Sequence, residues 1–436
     1  MKTKKANKTA EAGGRGAGVR SDCWVRIALA DSGGIEIDLK SKVEPMYGAS
    51  IRKLTADMMA TFGIEHATIK IEDAGALPFV IMARIEAAVR RLGVDVGQGY
   101  LPAFASGTQC ATDRDRFRRS RLYLPGNEPK FMLNAGLHKP DGVILDLEDS
   151  VAPTVKDEAR LLVRNALRSI DFYSAERMVR INQGDRGLAD LDFVVEQNVH
   201  VVLIPKVESP QQVTRVDERV KTILKNAPTQ ARDAGFRPRG VSKADGVSSN
   251  RTAARAKARG SSDTSEHRVF LMPIIESALG AIRAYEIATA SPNVVALTIG
   301  LEDYTADIHA QRTNEGRESF WARSQVVNAA RATGVQPIDT VFSDVGDVEG
   351  LRASVLEAKS LGFDGKGCIH PRQIAVIHEA FAPTQGELEQ ARRIVAAFEQ
   401  AQAKGLAAVS LGSKMIDPPV VRRAQRIVKL AEAMNE

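Results

Sequence analysis

The sequence has few cysteines and aromatic residues, and it has no long apolar run. Three cysteines among 436 residues (Cys23, Cys110 and Cys368) are too few and too widely spaced for a disulfide framework or a cysteine metal site. No apolar run approaches the roughly 20 residues that a membrane-spanning helix needs. No apolar stretch follows Met1-Lys-Thr-Lys-Lys, so we expect no secretory signal. These absences argue against a membrane protein and favour a soluble enzyme of the reducing cytoplasm.

The first quarter of the chain predicts a small α+β domain between two irregular segments. Residues 1–19 are rich in Lys, Ala and Gly, and we expect a disordered tail. Over 20–95, two alternating strands, a helix, a third strand and a second helix give the order ββαβα. Residues 96–117 contain Gly, Pro and Ser followed by a charged run, which is typical of a linker.

From 118 to 385, apolar strands alternate with helical patterns. The predicted strands include or begin at Leu122, Gly142, Met178, Val201, Val269, Val294, Val335 and Gly365. Eight such strands predict a (β/α)₈ TIM barrel in the α/β class. A doubly wound open sheet is the alternative, but no glycine-rich dinucleotide fingerprint follows the first strand. Residues 386–436 form a predicted C-terminal helical extension, with Asp417 in a stiff turn before Pro418 and Pro419.

A basic insert, at about 226–265, interrupts the barrel. From 228 to 262 it contains eight Lys and Arg residues and two Asp residues, and this excess equals the net charge of +6 of the whole chain. With almost no large apolar side chain, it predicts a disordered surface loop. We do not expect nucleic-acid binding, since Phe236 is the single aromatic residue among the basic ones, too few for base stacking.

Polar residues follow most of the predicted strands, where a barrel would bring them to one face. Glu276 and the pair Glu302/Asp303 end two consecutive strands, and two such carboxylates suit a shared Mg²⁺. The alternative is that they only cap the following helices. Arg180 ends an earlier strand and suits a bidentate grip on a carboxylate or an oxyanion. We see no Ser–His or Cys–His nucleophile and interpret Lys206 as structural, so we favour a metal-assisted enolate reaction.

The barrel segment resembles the citrate lyase beta subunit and the related malyl-CoA and citramalyl-CoA lyases of the HpcH/HpaI aldolase family. The resemblance covers about 118–436 apart from the insert. It is carried, in order, by RSRLYLPG (119–126), VILDLEDS (143–150), VRIN (179–182), IPKVE (204–208), IES (275–277), GLED (300–303), GCIHP (367–371) and KMIDPP (414–419). It implies a Mg²⁺-dependent TIM barrel that cleaves a carbon–carbon bond next to an acyl thioester.

The same resemblance assigns roles to individual residues. It implies that Glu276 and Asp303 bind the metal, and that Glu276 also borders the substrate. Arg180 would bind the oxo-acid and stabilise its charge, and Arg119 would contact the thioester or its phosphates. Asp417 resembles an acidic residue that the CoA lyases place at a neighbouring active site. We therefore expect a homo-oligomer.

The N-terminal domain resembles the citrate lyase gamma subunit, an acyl carrier protein. The resemblance rests on SDCWVRI (21–27), IEIDL (35–39), VEPMYG (43–48) and EDAGAL (72–77). It implies a covalent phosphoribosyl-dephospho-CoA arm on Ser21, and as a partner the citrate lyase alpha subunit, an acyl transferase. The linker over 96–117 would let this domain reach the barrel.

The first functional hypothesis is therefore a fused gamma–beta citrate lyase subunit that cleaves a citryl thioester to oxaloacetate and an acetyl thioester. The second hypothesis is a lyase for free malyl-CoA or citramalyl-CoA. A third, from another class, is a carrier or scaffold subunit whose barrel is silent, and the presence of Arg180, Glu276 and Asp303 argues against it.

Overall fold

The computed structural model describes residues 8–434, apart from 98, 107, 109, 228–267, 404–408 and 412–413. The predicted basic insert lies outside these residues, except for its first two positions. Within the described ranges, no helix is both long and apolar enough to cross a membrane.

The N-terminal domain is a four-stranded sheet covered by two helices. The strands follow the order β1-β2-β4-β3, with β2 antiparallel to β4 and β3 parallel to it. Alternate residues of β4 are buried, as expected where one face of a sheet packs on helices. The strands are β1 Thr9–Ala12, β2 Cys23–Leu29, β3 Ile35–Ser41 and β4 Ala67–Asp73, and the helices are α1 Glu44–Thr61 and α2 Pro78–Arg91.

Strand β1 corrects the prediction of a disordered tail over residues 1–19. Thr9 to Ala12 pair antiparallel with β2, and Ala12 is 3% exposed. The segment is polar and has little strand propensity of its own, so tertiary contacts hold it extended, chiefly the ladder with β2. The domain therefore has one strand more than the predicted ββαβα order.

The eight predicted barrel strands form a closed parallel barrel, which confirms the fold class. The β strands run around it in chain order, and the last pairs with the first. Apolar side chains from the strands fill the interior, among them Ile144, Met178 and Leu203. The strands are β5 Ser120–Pro125, β6 Gly142–Asp146, β7 Glu176–Arg180, β8 Val201–Ile204, β9 Phe270–Ile275, β10 Ala296–Ile299, β11 Gln336–Asp339 and β12 Gly365–Cys368.

Helices connect the strands and surround the barrel. The described ones are α3 Pro129–Met132, α4 Lys156–Ser169, α5 Gly184–Val194, α6 Pro210–Asn226, α7 Ala278–Ile282, α8 Ala284–Thr289, α9 Leu301–Asp307, α10 Phe320–Thr333, α11 Val348–Leu361 and α12 Arg372–Phe381. Short 3₁₀ helices span Ala135–His138 and Pro153–Val155. The C-terminal extension is a helical hairpin with its own apolar cluster, made of α13 Gln385–Ala403, the strands β13 Val409–Leu411 and β14 Lys414–Ile416, and α14 Pro418–Met434.

The segment predicted as a linker is packed against the barrel instead of being free. Thr108 is fully buried. Arg114 donates hydrogen bonds to the carbonyls of Pro292 and Val294 at 2.7 and 2.8 Å, and Arg168 donates to the carbonyl of Pro102 at 2.5 Å. These arginine side chains donate hydrogen bonds to carbonyl groups of the loops and so fix the segment in place. The amino-acid composition of the segment does not reveal such contacts. The expectation of a flexible tether over 96–117 is therefore wrong for this segment.

Candidate active site

Two neighbouring strands end in an ion pair at the carboxyl end of the barrel. Asp146 closes β6 and Arg180 closes β7, and the two residues are opposite each other in the sheet register. Arg180 donates from Nε and Nη2 to the two carboxylate oxygens of Asp146 at 2.6 and 2.7 Å. Burial disfavours both charges, but this hydrogen-bonded pairing raises the pKa of Arg180 and lowers that of Asp146.

This pairing differs from the role predicted for Arg180. The bidentate edge expected to grip a carboxylate of the substrate is already used by Asp146. What remains is Nη1, which lies 3.2 Å from the Glu148 carboxylate, while the guanidinium lies 5.2 Å from the centroid of the Tyr123 ring. Arg180 therefore offers a fixed positive charge with one edge, at Nη1, that Asp146 does not occupy and that faces Glu148. The sequence indicated that Arg180 ends a strand, but its pairing with Asp146 depends on the register of β6 and β7.

Glu276 is buried immediately after β9, where the strand pattern predicted it. It is 6% exposed and accepts a hydrogen bond from the backbone N–H of Lys206 at 2.9 Å. Burial raises its pKa to about 7, a change that the hydrogen bond from Lys206 and the charge of Arg180 only partly offset. Gly300 leaves room for this side chain, since a Cβ there would lie 2.5 Å from Oε1 of Glu276.

The structure distinguishes the two carboxylates that follow β10. Asp303 lies 3.2 Å from Nζ of Lys206, while Glu302 points to Arg312 and is 60% exposed. Helix α9 begins at Leu301, so adjacent residues in its first turn face different directions. Asp303 is thus on the side of Glu276, as the metal assignment requires.

Lys206, interpreted from the sequence as structural, joins these carboxylates. Its backbone N–H binds Glu276, and its Nζ lies 3.2 Å from Asp303, 3.4 Å from Asp149 and 3.5 Å from Glu148. Burial opposes the charge, but the three carboxylates raise the pKa of this lysine. Its backbone has a positive φ of 50° just after β8, so the turn presents both the N–H and the side chain to the site.

The residues at this end of the barrel fit a divalent cation. Glu276 is a buried carboxylate with incomplete charge compensation, which a cation would supply. Among the described residues, no group of three or more His, Cys, Asp or Glu side chains has the geometry of a ready metal cage. This is compatible with Mg²⁺, which commonly binds to one or two carboxylates and keeps several waters or substrate oxygens as further ligands.

Arg119 lies at the opposite end of the barrel, which makes its predicted role at the thioester wrong for this structure. It precedes β5, whereas Arg180 and Glu276 follow or close their strands. Its guanidinium and its backbone N–H all bind the Asp141 carboxylate, at 2.7 to 2.9 Å. Because Asp141 precedes β6, this ion pair ties together the amino ends of two strands.

Asp417 and Ser21 make no described contact with this group of charges. Asp417 is half-buried and accepts a hydrogen bond from the backbone N–H of Val420 at 3.1 Å, so it caps α14. Among the described contacts, none joins it to Glu276, Asp303 or Arg180. Ser21 is half-buried with a positive φ of 57°, and its N–H donates to the carbonyl of Ala74 at 3.1 Å.

Other polar strand ends have structural partners. Asp339 is fully buried between Lys366, at 2.8 Å, and Arg323, at 3.1 Å. Asn182 accepts from Lys156 and donates to Asp190. The expectation that polar residues at the strand ends meet in one site therefore selected more residues than the site contains.

A closed parallel barrel that collects carboxylates, a lysine and an arginine at the carboxyl ends of its strands is typical of TIM-barrel enzymes. Residues 119–371 match the family model HpcH/HpaI aldolase/citrate lyase, and the chain belongs to this family. Residues 8–92 match a second model, ACP, described as malonate decarboxylase delta subunit (MdcD). Both matches confirm the resemblances inferred from the motifs, and the second begins just before β1.

Individual relatives cover the barrel and the C-terminal extension. Citrate lyase subunit beta of Haemophilus influenzae is 38% identical over 320 residues, which are 73% of this chain and 98% of that subunit. Mitochondrial citramalyl-CoA lyase of Mus musculus is 32% identical over 73% of this chain and 87% of that protein. The structure of CitE from Mycobacterium tuberculosis in complex with magnesium, acetoacetate and coenzyme A is similar with a TM-score of 0.54 and 28% identity, and the match covers 73% of this chain and all of that one.

Proposed function

We propose that the protein is a Mg²⁺-dependent carbon–carbon lyase that cleaves a citryl thioester to oxaloacetate and an acetyl thioester. The observation that carries the proposal is the arrangement of Glu276 and Asp303, which face the same lysine beside the Arg180–Asp146 pair. Membership of a family that includes citrate lyase beta subunits supports this substrate class.

In this proposal Glu276 and Asp303 hold the cation. When bound, Mg²⁺ supplies Lewis-acid polarisation of a substrate oxygen. The buried Glu276 gains the charge compensation that the protein alone does not give it, and Lys206 fixes its carboxylate through a backbone N–H. The carboxylate of Asp303 is 42% exposed and reachable from the barrel mouth.

Arg180 stabilises the oxo-acid. Its charge is permanent, as for any arginine, and the hydrogen bonds to Asp146 raise its pKa further. Asp146 also prevents the side chain from rotating, so the remaining Nη1 edge is held towards the space beside Glu148. A substrate carboxylate that displaces Glu148 from that edge would gain a charge-assisted hydrogen bond.

The bond changes follow from the substrate. A base takes the proton of the citryl hydroxyl group, the bond to the α-carbon of the thioester breaks, and its electron pair passes to that carbon as an enolate. Protonation of the enolate then gives the acetyl thioester, while the former alcohol carbon becomes the keto group of oxaloacetate. We assign acid–base duty to Asp417 of a second copy of the chain, since within one chain its described contacts are confined to its own helix.

We further propose that the N-terminal domain carries the thioester on a phosphoribosyl-dephospho-CoA arm at Ser21. The match of residues 8–92 to an ACP family model supports a carrier. A citrate lyase alpha subunit would be the partner that loads this arm by acyl exchange.

A second candidate is a lyase for free citramalyl-CoA or malyl-CoA. It is favoured by the 32% identity with citramalyl-CoA lyase and by the similarity to a structure that contains coenzyme A. A carrier with a silent barrel remains the third hypothesis, and the intact group of charges around Lys206 argues against it.

The test is to incubate the purified protein with citryl-CoA, malyl-CoA and citramalyl-CoA, in Mg²⁺ and in EDTA, and to measure the oxo-acid released. Mg²⁺-dependent oxaloacetate from citryl-CoA supports the proposal. Preference for citramalyl-CoA or malyl-CoA transfers the function to the second candidate. Folded protein that cleaves none of them favours the silent barrel.

A further inference from the structure

The N-terminal domain is attached to the barrel through a buried cluster of charges centred on Arg84. This side chain is 2% exposed and donates from Nε and Nη2 to the two carboxylate oxygens of Asp22, each at 2.9 Å. Its second partner belongs to the barrel, since Nη2 also donates to the carbonyl of Asn127 at 2.9 Å. Glu158 of helix α4 lies 3.6 Å from Nη1 and accepts a hydrogen bond from the backbone N–H of Gly13 at 2.7 Å.

A second buried pair extends this interface. Glu86 of helix α2 is fully buried and accepts from Arg164 of α4 at 3.0 and 2.6 Å. Asn165 donates to the carbonyl of Phe79 at 3.0 Å. A charge buried without its partner is costly, so contacts of this kind hold two surfaces in one arrangement. Together with the packed segment after residue 100, they join the carrier domain to the barrel as one unit.

One end of this interface lies at the carboxyl end of the barrel, where the candidate active site lies, and the rest follows helix α4 away from it. Asn127 is two residues beyond the end of β5, and the adjacent Gly126 donates its N–H to the carbonyl of Asp146 at 2.8 Å. Asp146 in turn binds Arg180. On the other side, Asp22 directly follows Ser21 in the chain. A continuous chain of contacts therefore leads from Ser21 through Arg84 to the rim that carries Arg180.

We propose that Arg84 is a positioning residue that holds Ser21 at the mouth of its own barrel, so that an arm on Ser21 delivers its thioester in cis. The inference rests on the proposed function, because it takes Ser21 as the attachment site and Glu276 with Asp303 as the metal site. The domain stays docked and the flexible arm makes the movement. Fixed docking replaces a tethered search and keeps the local concentration of substrate at the site high.

The test measures proximity and does not depend on the native arm. Ser21→Cys is labelled with a maleimide nitroxide, Mn²⁺ replaces Mg²⁺, and the unsubstituted protein, labelled in parallel, corrects for Cys110. We expect bound Mn²⁺ to enhance the relaxation of the nitroxide severalfold. Bound Mn²⁺ without enhancement would overturn the docking inference. Failure of Mn²⁺ to bind would instead reject the metal site, and with it the proposed function.

Mixed assemblies test delivery in cis. One chain carries the labelled Ser21→Cys together with Asp303→Asn, which removes a metal ligand, and a differently tagged chain keeps an intact metal site. We expect little enhancement of nitroxide relaxation in such assemblies. Enhancement as strong as that within one chain would show that the arm serves a neighbouring barrel, contrary to the proposal.

Arg84→Met tests the positioning role itself. We expect the nitroxide enhancement to disappear, while turnover of free citryl-CoA stays within twofold of the parent, and Arg84→Lys should recover part of the enhancement. Arg52→Met is the matched control, since the described hydrogen bonds of Arg52 stay within the N-terminal domain. If Arg84→Met does not fold, Asp22→Asn, Arg84→Met and Glu158→Gln are combined to remove the buried charges together. Full enhancement in either variant would refute the role of Arg84.

Discussion

Replacing Glu276 by glutamine should stabilise the metal-free protein while it removes metal binding. Burial raises the pKa of this carboxyl from 4.5 to about 7. Below pH 4.5 the group is protonated in both the folded and the unfolded protein. As the pH rises through 4.5 the unfolded chain loses this proton first, so the free energy of unfolding falls until the folded group also ionises near pH 7. A shift of about 2.5 units corresponds to about 3 kcal/mol.

Glutamine has nearly the same shape and can still accept the hydrogen bond from Lys206, but it has no charge to bury. In EDTA at pH 8, Glu276→Gln should therefore unfold with a free energy up to about 3 kcal/mol higher than the parent. At pH 4.5 the two proteins should differ by less than about 0.5 kcal/mol. Urea denaturation or calorimetry at both pH values measures the difference, and Glu302→Gln is the control because Glu302 is exposed. A variant less stable than the parent at pH 8 would refute the reasoning.

Three further substitutions probe the same geometry. Gly300→Ala places a Cβ against the Glu276 carboxylate and should weaken Mg²⁺ binding by at least about tenfold with the fold retained, measured by calorimetric titration. Lys206→Met removes a cation 3.2 Å from Asp303 and should tighten Mg²⁺ binding by about tenfold in the same titration, although carbon–carbon cleavage need not improve. Arg118→Met breaks a fully buried ion pair at the amino end of the barrel and should lower the free energy of unfolding by about 3–5 kcal/mol.

Each of these substitutions has a control or a contrary outcome. Gly386→Ala inserts the same methyl group where nothing lies within 4 Å, so it should leave Mg²⁺ affinity unchanged. Equal affinity in Gly300→Ala would mean that Glu276 is not a ligand. Weaker Mg²⁺ binding in Lys206→Met would indicate that the lysine helps to organise the site. An unchanged free energy of unfolding in Arg118→Met would show that its buried partner is satisfied by other groups.

The sequence was most informative about the barrel strands. Buried parallel strands consist of apolar residues on both faces, so runs such as 269–275 are distinct from the amphipathic helices around them. A strand that ends in a polar residue also fixes which end of the barrel that residue occupies. This reasoning located Glu276, Asp303 and Arg180. Applied to Arg119, it would have placed that residue at the opposite end, because Arg119 precedes its strand.

The partners of the site residues could not be read from the sequence. The contact between Arg180 and Asp146 depends on the register of two strands, and the one between Lys206 and Glu276 depends on a turn with positive φ. Thr9–Ala12 and the segment after residue 100 are ordered by tertiary contacts that their composition does not signal. The local pattern of apolar and polar residues predicts helices and strands. Which side chains contact each other is determined by the assembled fold.

The central claim is that Glu276 and Asp303 form the metal-dependent lyase site. The most direct measurement compares oxaloacetate released from citryl-CoA, at saturating Mg²⁺, by Asp303→Asn and by the adjacent Glu302→Gln. The account predicts a loss of at least about a hundredfold in the first variant and activity within twofold of the parent in the second. Equal activities in both would contradict the assignment of the site.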